Sequence, residues 1–303
     1  MKKTQLEIAL VGASGMLARK VQEKARAVGY TVSLFDLPDF NMTDRTQVLQ
    51  EMTRLQPDVI INCAAFTNVD GAEAEQSLAM AVNGTAVAFL AEAALAVDAI
   101  LVHVSTDYVF DGQKTTPYVE ADAPNPQSVY GRTKLAGEQA VIQSGLDKYF
   151  IIRTSWLYGP GGNNFVETIL RLAEEREQLR IVADQIGSPT YTGDLADAIF
   201  RLLNLSASPQ PPDPSLYGTY HFANEGSCSW YEFACEIVTL AKQQGLPIKT
   251  QTLLPIRTEE YPLPAPRPAY SVFSKDKYLV ATGAEIPCWK DSLANYLKSR
   301  NNL

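Results

Sequence analysis

Tyr130-Gly131-Arg132-Thr133-Lys134 places a phenol and an ammonium four residues apart. On a helix that spacing puts both groups on one face. A cation beside a phenol stabilises phenolate and draws tyrosine down from its ordinary value of about 10, which equips it to exchange a proton with a carbonyl oxygen. Upstream, Ser105-Thr106-Asp107 closes a strand-like run, and a hydroxyl there can bond the same oxygen. A third cluster, Gly12-Ala13-Ser14-Gly15-Met16-Leu17-Ala18, follows the first apolar run. Gly12 permits a tight turn, Gly15 lets backbone approach a pyrophosphate, and the small Ala18 lets helix and sheet pack closely. The helix that follows offers free N–H groups to phosphate. Asp36, at the end of the second apolar run, sits where an acid grips the adenosine ribose hydroxyls. Its charge opposes a 2′-phosphate and favours NADH over NADPH.

The elements that must position these groups are legible as alternating signals. Leu6–Val11, Thr31–Phe35, Val59–Cys63, Ile100–Val104 and Tyr149–Arg153 are nearly continuous apolar runs, as in parallel strands buried on both faces. Helix-like segments separate them at Met16–Val28, Thr43–Leu55, Glu75–Val97 and Val129–Ser144. This rhythm predicts an α/β fold: a doubly wound parallel (Rossmann) sheet with right-handed crossovers. After about residue 158 it loosens. Helices are expected at Phe165–Glu175, Leu195–Leu205, Trp230–Gln244 and Trp289–Ser299, with short strands near Arg180–Val182 and Thr219–Phe222. Two proline-rich stretches, Ser208–Pro214 and Pro262–Pro268, read as loops. The expected organisation is a dinucleotide-binding domain over 1–158, to which the chain returns near 191–223. A smaller, partly interleaved α/β cap over 159–190 and 224–303 would bind substrate.

Composition narrows the function classes. With 303 residues, 46% apolar and 20% charged, the chain is long enough for an extensive core. Its 26 Lys+Arg against 34 Asp+Glu give a net charge of −8, without the basic footprint that nucleic acid demands. Four cysteines and two histidines, His103 and His221, fall at no zinc-ligand spacing, so no metal is expected. Cys228 and Cys235 read as ordinary buried thiols. No apolar run is read as approaching the ~20 residues of a membrane span, and the expectation is a cytoplasmic protein with no membrane partner. Arg267, in a stiff proline-flanked loop, could neutralise a substrate diphosphate or lie solvated on the surface.

The ordered set of glycine turn, Ser-Thr and YxxxK resembles the extended short-chain dehydrogenase/reductase family. The flanks narrow the resemblance to its dTDP-4-dehydrorhamnose reductase branch. Asn62-Cys63-Ala64-Ala65-Phe66-Thr67-Asn68-Val69-Asp70-Gly71-Ala72-Glu73 is similar to that branch's NAAxTxVDxAE stretch. Val104–Gly112, Val129–Glu138, Arg153–Gly159, Asn164-Phe165 and Asp184–Thr190 also match, as does Arg267-Pro268-Ala269-Tyr270-Ser271. The likeness runs over roughly residues 6–297.

The resemblance implies NADPH- or NADH-dependent reduction of the 4-keto group of a nucleotide sugar by a monomer or homodimer. Tyr130 would protonate the oxyanion, Lys134 would tune Tyr130 and hold the nicotinamide ribose, and Thr106 would polarise the carbonyl. Gly15, Met16 and Leu17 would touch the cofactor phosphates, Asn41 and Met42 the adenine, and Ala64, Ala65 and Phe66 would line the cofactor path. Asp107 and Trp156 would contact sugar or nucleotide, although Trp156 also suits core packing. Asn41, Phe66 and Ala18 depart from the commoner family residues at cofactor positions. Asp107-Tyr108 lacks the second acid of a 4,6-dehydratase. A 4-epimerase, or a non-catalytic subunit like the regulatory subunit of methionine adenosyltransferase, stays open at this level.

Overall fold

The structure is a computed structural model describing residues 5–206 and 213–300. Most of the proline-rich stretch at 208–214 therefore lies outside the described residues. The first half runs β1 (Glu7–Val11), α1 (Met16–Ala27), β2 (Thr31–Phe35), α2 (Arg45–Leu55), β3 (Val59–Asn62), α3 (Val69–Ala74) and α4 (Gln76–Met80). A π-helical turn, Ala81–Thr85, joins α4 to α5 (Ala86–Ala96), before β4 (Ile100–Thr106), α6 (Val129–Gln143) and β5 (Tyr149–Thr154). The second half carries β6 (Leu157–Tyr158), α7 (Phe165–Glu175), β7 (Gln178–Val182), β8 (Ile186–Gly187), β9 (Thr190–Tyr191) and α8 (Thr192–Ser206). Then come β10 (Gly218–His221), β11 (Cys228–Ser229), α9 (Trp230–Gln243), β12 (Thr252–Ile256), α10 (Asp276–Thr282) and α11 (Trp289–Arg300).

Six strands form one parallel sheet in the order β10-β5-β4-β3-β1-β2. The continuous apolar runs are explained by the pleat, because successive side chains enter different cores. Ile8, Leu10, Val59, Ile61, Val102, Phe150 and Ile152 meet α1 and α8 through Leu17, Val21, Leu195 and Ile199. The alternate residues Ala9, Val11, Ile60, Leu101 and Ile151 meet α2, α5 and α6 through Val48, Met52, Leu90 and Val141. Both faces are thus dry, which is the doubly wound arrangement. A third core gathers Tyr158, Ile169, Leu170, Phe233, Ile237, Leu293 and Tyr296 from β6, α7, α9 and α11. Between these cores the chain crosses back, so that α8 lies on α1 and β10 extends the sheet beside β5.

One expectation is corrected. Gln76–Ala96 is a 21-residue helical stretch with mean hydropathy 1.6 over its most apolar window, long and apolar enough by those measures to span a bilayer. Half of that window is buried inside the fold, where α5 packs between α2 and α6. β4 also runs two residues further than its apolar pattern, and this delivers Thr106 to the carboxyl end of the sheet.

Candidate active site

The carboxyl ends of β1, β3, β4 and β5 open into one cleft of about 830 Å³. Gly12, Gly15, Met16, Leu17, Asp36, Asn41, Met42, Ala64, Ala65, Phe66, Thr106, Asp107, Tyr130, Lys134 and Trp156 all line it. Arg267 does not stand on that wall. Its guanidinium forks onto Asp70, with Nη1–Oδ1 and Nη2–Oδ2 both at 2.6 Å, and Nη1 also donates to the Ala265 carbonyl. The charge offered for a diphosphate is thus already paired, and it ties the proline-rich loop to α3. Asp184 likewise lies outside the cleft wall and accepts from the Thr258 N–H and hydroxyl.

At one end of the cleft, Gly12 takes φ +77°, and a Cβ there would lie 2.5 Å from Ala64 N. Only glycine lets the turn close against the end of β3. α1 starts at Met16 behind Gly15 at its N-cap, with no side-chain cap and no acid in its first turn, so its free N–H groups and positive dipole end lie at the cleft. Asp36 accepts from Ser14 N at 2.7 Å and Leu37 N at 2.9 Å. Partial burial raises its carboxyl, but the bonds from Ser14 and Leu37 outweigh this and hold it below the usual aspartate range. An ionised acid therefore stands beside a bare helix terminus, a donor set that fits a dinucleotide's pyrophosphate and ribose hydroxyls.

At the other end, Ser128 caps α6 by accepting from Gly131 N, and α6 starts with Tyr130 in its first turn. Tyr108 meets the Tyr130 ring edge to face at 5.4 Å. Burial pushes the Tyr130 phenol up to about 12, against the pull of a hydrogen bond with Thr106. The lysine-driven lowering expected from the sequence does not appear: desolvation and the Asp107 charge raise the phenol, the opposing pull comes from Thr106, and Tyr130 stands protonated. Lys134 is buried and donates to the Val104 carbonyl at 2.7 Å. Burial lowers its ammonium to about 8, opposed by Glu138 and Cys63.

Two polar atoms point to a further ligand at this end. Asp107 is 2% exposed; its Oδ1 accepts from Thr106 Oγ1 at 3.0 Å, while Oδ2 has no hydrogen-bond partner among the described residues. Thr154 Oγ1, also on the cleft wall, has none either. Buried polar groups are nearly always paired, and on the cleft wall these two are free to accept from polar groups that enter it. Trp156 adjoins them with φ +48°, a left-handed backbone that a bulky residue adopts only under strain. Its indole stacks on Trp230 at 3.4 Å, and Trp230 Nε1 donates to Gln185. A Cβ at Gly187 would sit 2.5 Å from the Trp156 ring, so the glycine admits the indole.

Several positioning groups escaped the sequence reading. Asn83, in the π-turn, accepts from Phe66 N and donates to Phe66 O, clamping the cofactor-side loop. Glu138 takes a two-pronged ion pair from Arg153 and a hydrogen bond from Ser105 Oγ, all buried. That cluster braces β4 beside Thr106 to β5 and α6. Polar residues inside apolar runs, His103 and Arg153 among them, were the available signal.

The family model described as the RmlD substrate binding domain matches residues 6–302. A spore coat polysaccharide biosynthesis protein of Bacillus subtilis, SpsK, is 40% identical over 98% of each chain. The dTDP-4-dehydrorhamnose reductase of Aggregatibacter actinomycetemcomitans is 40% identical over 94% of this chain and 96% of its own.

The chain belongs to the dTDP-4-dehydrorhamnose reductase family.

Among solved members of that family, the Bacillus anthracis enzyme in complex with NADP superposes with TM-score 0.90 at 41% identity, over 97% of this chain and 99% of the other.

Proposed function

We propose that the protein reduces the 4-keto group of dTDP-4-dehydro-6-deoxy-L-mannose (dTDP-4-dehydro-L-rhamnose) to dTDP-L-rhamnose with a nicotinamide dinucleotide. The observation that carries this reading is the sharing of one cleft by an uncapped helix terminus and the Thr106, Tyr130 and Lys134 set. The named relatives support it. When bound, the reduced nicotinamide supplies the hydride. Gly15, Met16 and Leu17 hold the pyrophosphate on backbone N–H groups, and Asp36 takes the adenosine ribose. Asn41 and Met42 bound the adenine, and Ala64, Ala65 and Phe66 line the path between.

Thr106, whose hydroxyl rests on Asp107 Oδ1, turns that proton to the sugar's C4 oxygen and polarises it. Tyr130 then gives its phenolic proton to that oxygen as charge develops, and its raised value keeps the proton available beforehand. Lys134 orients the nicotinamide ribose and supports the phenolate that Tyr130 becomes. Asp107 Oδ2 and Thr154 Oγ1 receive sugar hydroxyls, and Trp156 offers an indole face to sugar or base. The segments 159–190 and 224–303 act as the lobe that encloses the substrate. The negative charge at Asp36 favours NADH, with NADPH also accepted.

The test is a reaction of purified protein with NADH or NADPH and the 4-keto sugar nucleotide. Equal amounts of oxidised cofactor and dTDP-L-rhamnose support the reading. Sugar isomerised with no net cofactor consumption means a 4-epimerase. Dinucleotide binding without turnover means a regulatory subunit.

A further inference from the structure

Under Lys134 lies a buried chain of polar atoms that the reaction scheme does not use. Asn62 and His103 face each other across β3 and β4, with Asn62 Nδ2 at 3.1 Å from His103 Nδ1. His103 Nε2 lies 3.5 Å from Lys134 Nζ on the other side. Asn62 is 1% exposed and His103 0%.

The direction of the chain is fixed at its far end. Ala64 N–H donates to Asn62 Oδ1 at 3.0 Å, so turning the amide over would set two donors against each other. Asn62 must therefore present its NH2 group to His103 Nδ1, which can only accept. A neutral imidazole that accepts on Nδ1 carries its proton on Nε2. That N–H is directed at Lys134 Nζ. An ammonium there meets donor with donor, whereas a neutral amine donates to Val104 O and receives the imidazole N–H on its lone pair.

We infer that Asn62 and His103 are positioning residues that set the protonation of Lys134, by locking the imidazole in the Nε2–H tautomer that favours the neutral amine. The inference rests on Lys134 serving Tyr130 as described above. It completes the proton balance: Tyr130 passes its proton to the C4 oxygen, the Lys134 ammonium returns one to the phenolate, His103 Nε2–H stabilises the amine left behind, and solvent restores the ammonium. Besides His103, the titratable groups acting on Lys134 are Glu138 on α6 and Cys63 just past β3, with Glu138 paired to Arg153 of β5. Burial and the Lys134 charge hold His103 far below its ordinary value, so it stays neutral throughout.

The tautomer is read directly by long-range proton–nitrogen NMR of full-length protein labelled with 15N-histidine. The His103 signals are those lost in His103→Phe. A bare Nδ1 and a protonated Nε2 from pH 6 to 9 are expected; a protonated Nδ1 overturns the inference, whatever the enzyme's activity. Asn62→Asp supplies an acceptor to both Ala64 N and His103 Nδ1, so the proton moves to Nδ1 and Nε2 then welcomes the ammonium. The Lys134 titration, followed by lysine-labelled NMR and by the basic limb of kcat, is expected to rise by about one pH unit, a tenfold change in its protonation ratio. The same rise in Asn62→Asp/His103→Phe would show that the added carboxylate acts without the histidine and would defeat the inference. A loss of turnover with no movement of either titration defeats it too. Normal NMR behaviour in a protein that never turns over the sugar defeats the proposed activity alone.

Discussion

Replacing Asp107 by Asn is expected to make the protein more stable and a worse catalyst, with the gain confined to neutral and alkaline pH. Burial lifts the Asp107 carboxyl from the ordinary 3.8 to about 6, only partly offset by the Ser271 and Thr106 hydroxyls. The folded chain thus holds this proton more tightly than the unfolded chain does. Its contribution is complete below pH 3.8 and is lost as pH rises through 6. The gap between those values is ~3 kcal/mol at pH 8, the burden of an ionised carboxylate with one oxygen unpaired. Asparagine keeps the shape and the Oδ1 acceptor for Thr106 but carries no charge, so it removes most of that burden. Urea unfolding should show Asp107→Asn more stable by about 1–3 kcal/mol at pH 8 and indistinguishable from the parent at pH 3.5. The kcat/KM for the nucleotide sugar should fall while dinucleotide affinity holds, the exchange of stability for function that strained sites make. Equal stability at both pH values, or a loss at pH 8, would refute the claim that Asp107 is held ionised against burial for a ligand.

Tyr130→Phe is expected to lower kcat by about 10²–10⁴-fold and to leave dinucleotide affinity intact, checked by steady-state kinetics and fluorescence titration. Glu138→Gln and Arg153→Met each leave one buried charge alone and should cost about 3–5 kcal/mol in urea unfolding. The double variant should cost much less than their sum, and additive losses would deny the coupling. Asp36→Ser removes the negative charge opposing a 2′-phosphate, so the NADPH-to-NADH ratio of kcat/KM should rise about tenfold or more, the equivalent of ~1.4 kcal/mol. An unchanged ratio would assign cofactor preference elsewhere.

The sheet was legible because a strand buried on both faces needs apolar side chains at every position, as Val59–Ile61 and Leu101–Val102 show. The cleft was legible for a related reason: parallel strands all end at one edge, so the residues following β1, β3 and β4 converge there. Short elements were not. β12 carries Pro255 inside a two-stranded edge, where no full ladder is required, and α3 is a six-residue helix held by the Asn68 cap. Arg267 was visible as a cation, but its partner Asp70 lies far away in sequence and only folding joins them. The Tyr130 expectation erred because helical spacing reports which groups share a face, not how much water folding removes from them. The left-handed backbone of Trp156 leaves no trace in a residue type that normally avoids it.

In the proposed reaction, hydride from nicotinamide reaches C4 of the sugar while Tyr130 supplies the proton. This transfer is tested most directly with NADH deuterated at the transferring position of the nicotinamide ring. The expected product is dTDP-L-rhamnose carrying one deuterium at C4, formed in step with oxidised cofactor, and almost none from Tyr130→Phe. Product without deuterium at C4, or undiminished labelling in Tyr130→Phe, would contradict it.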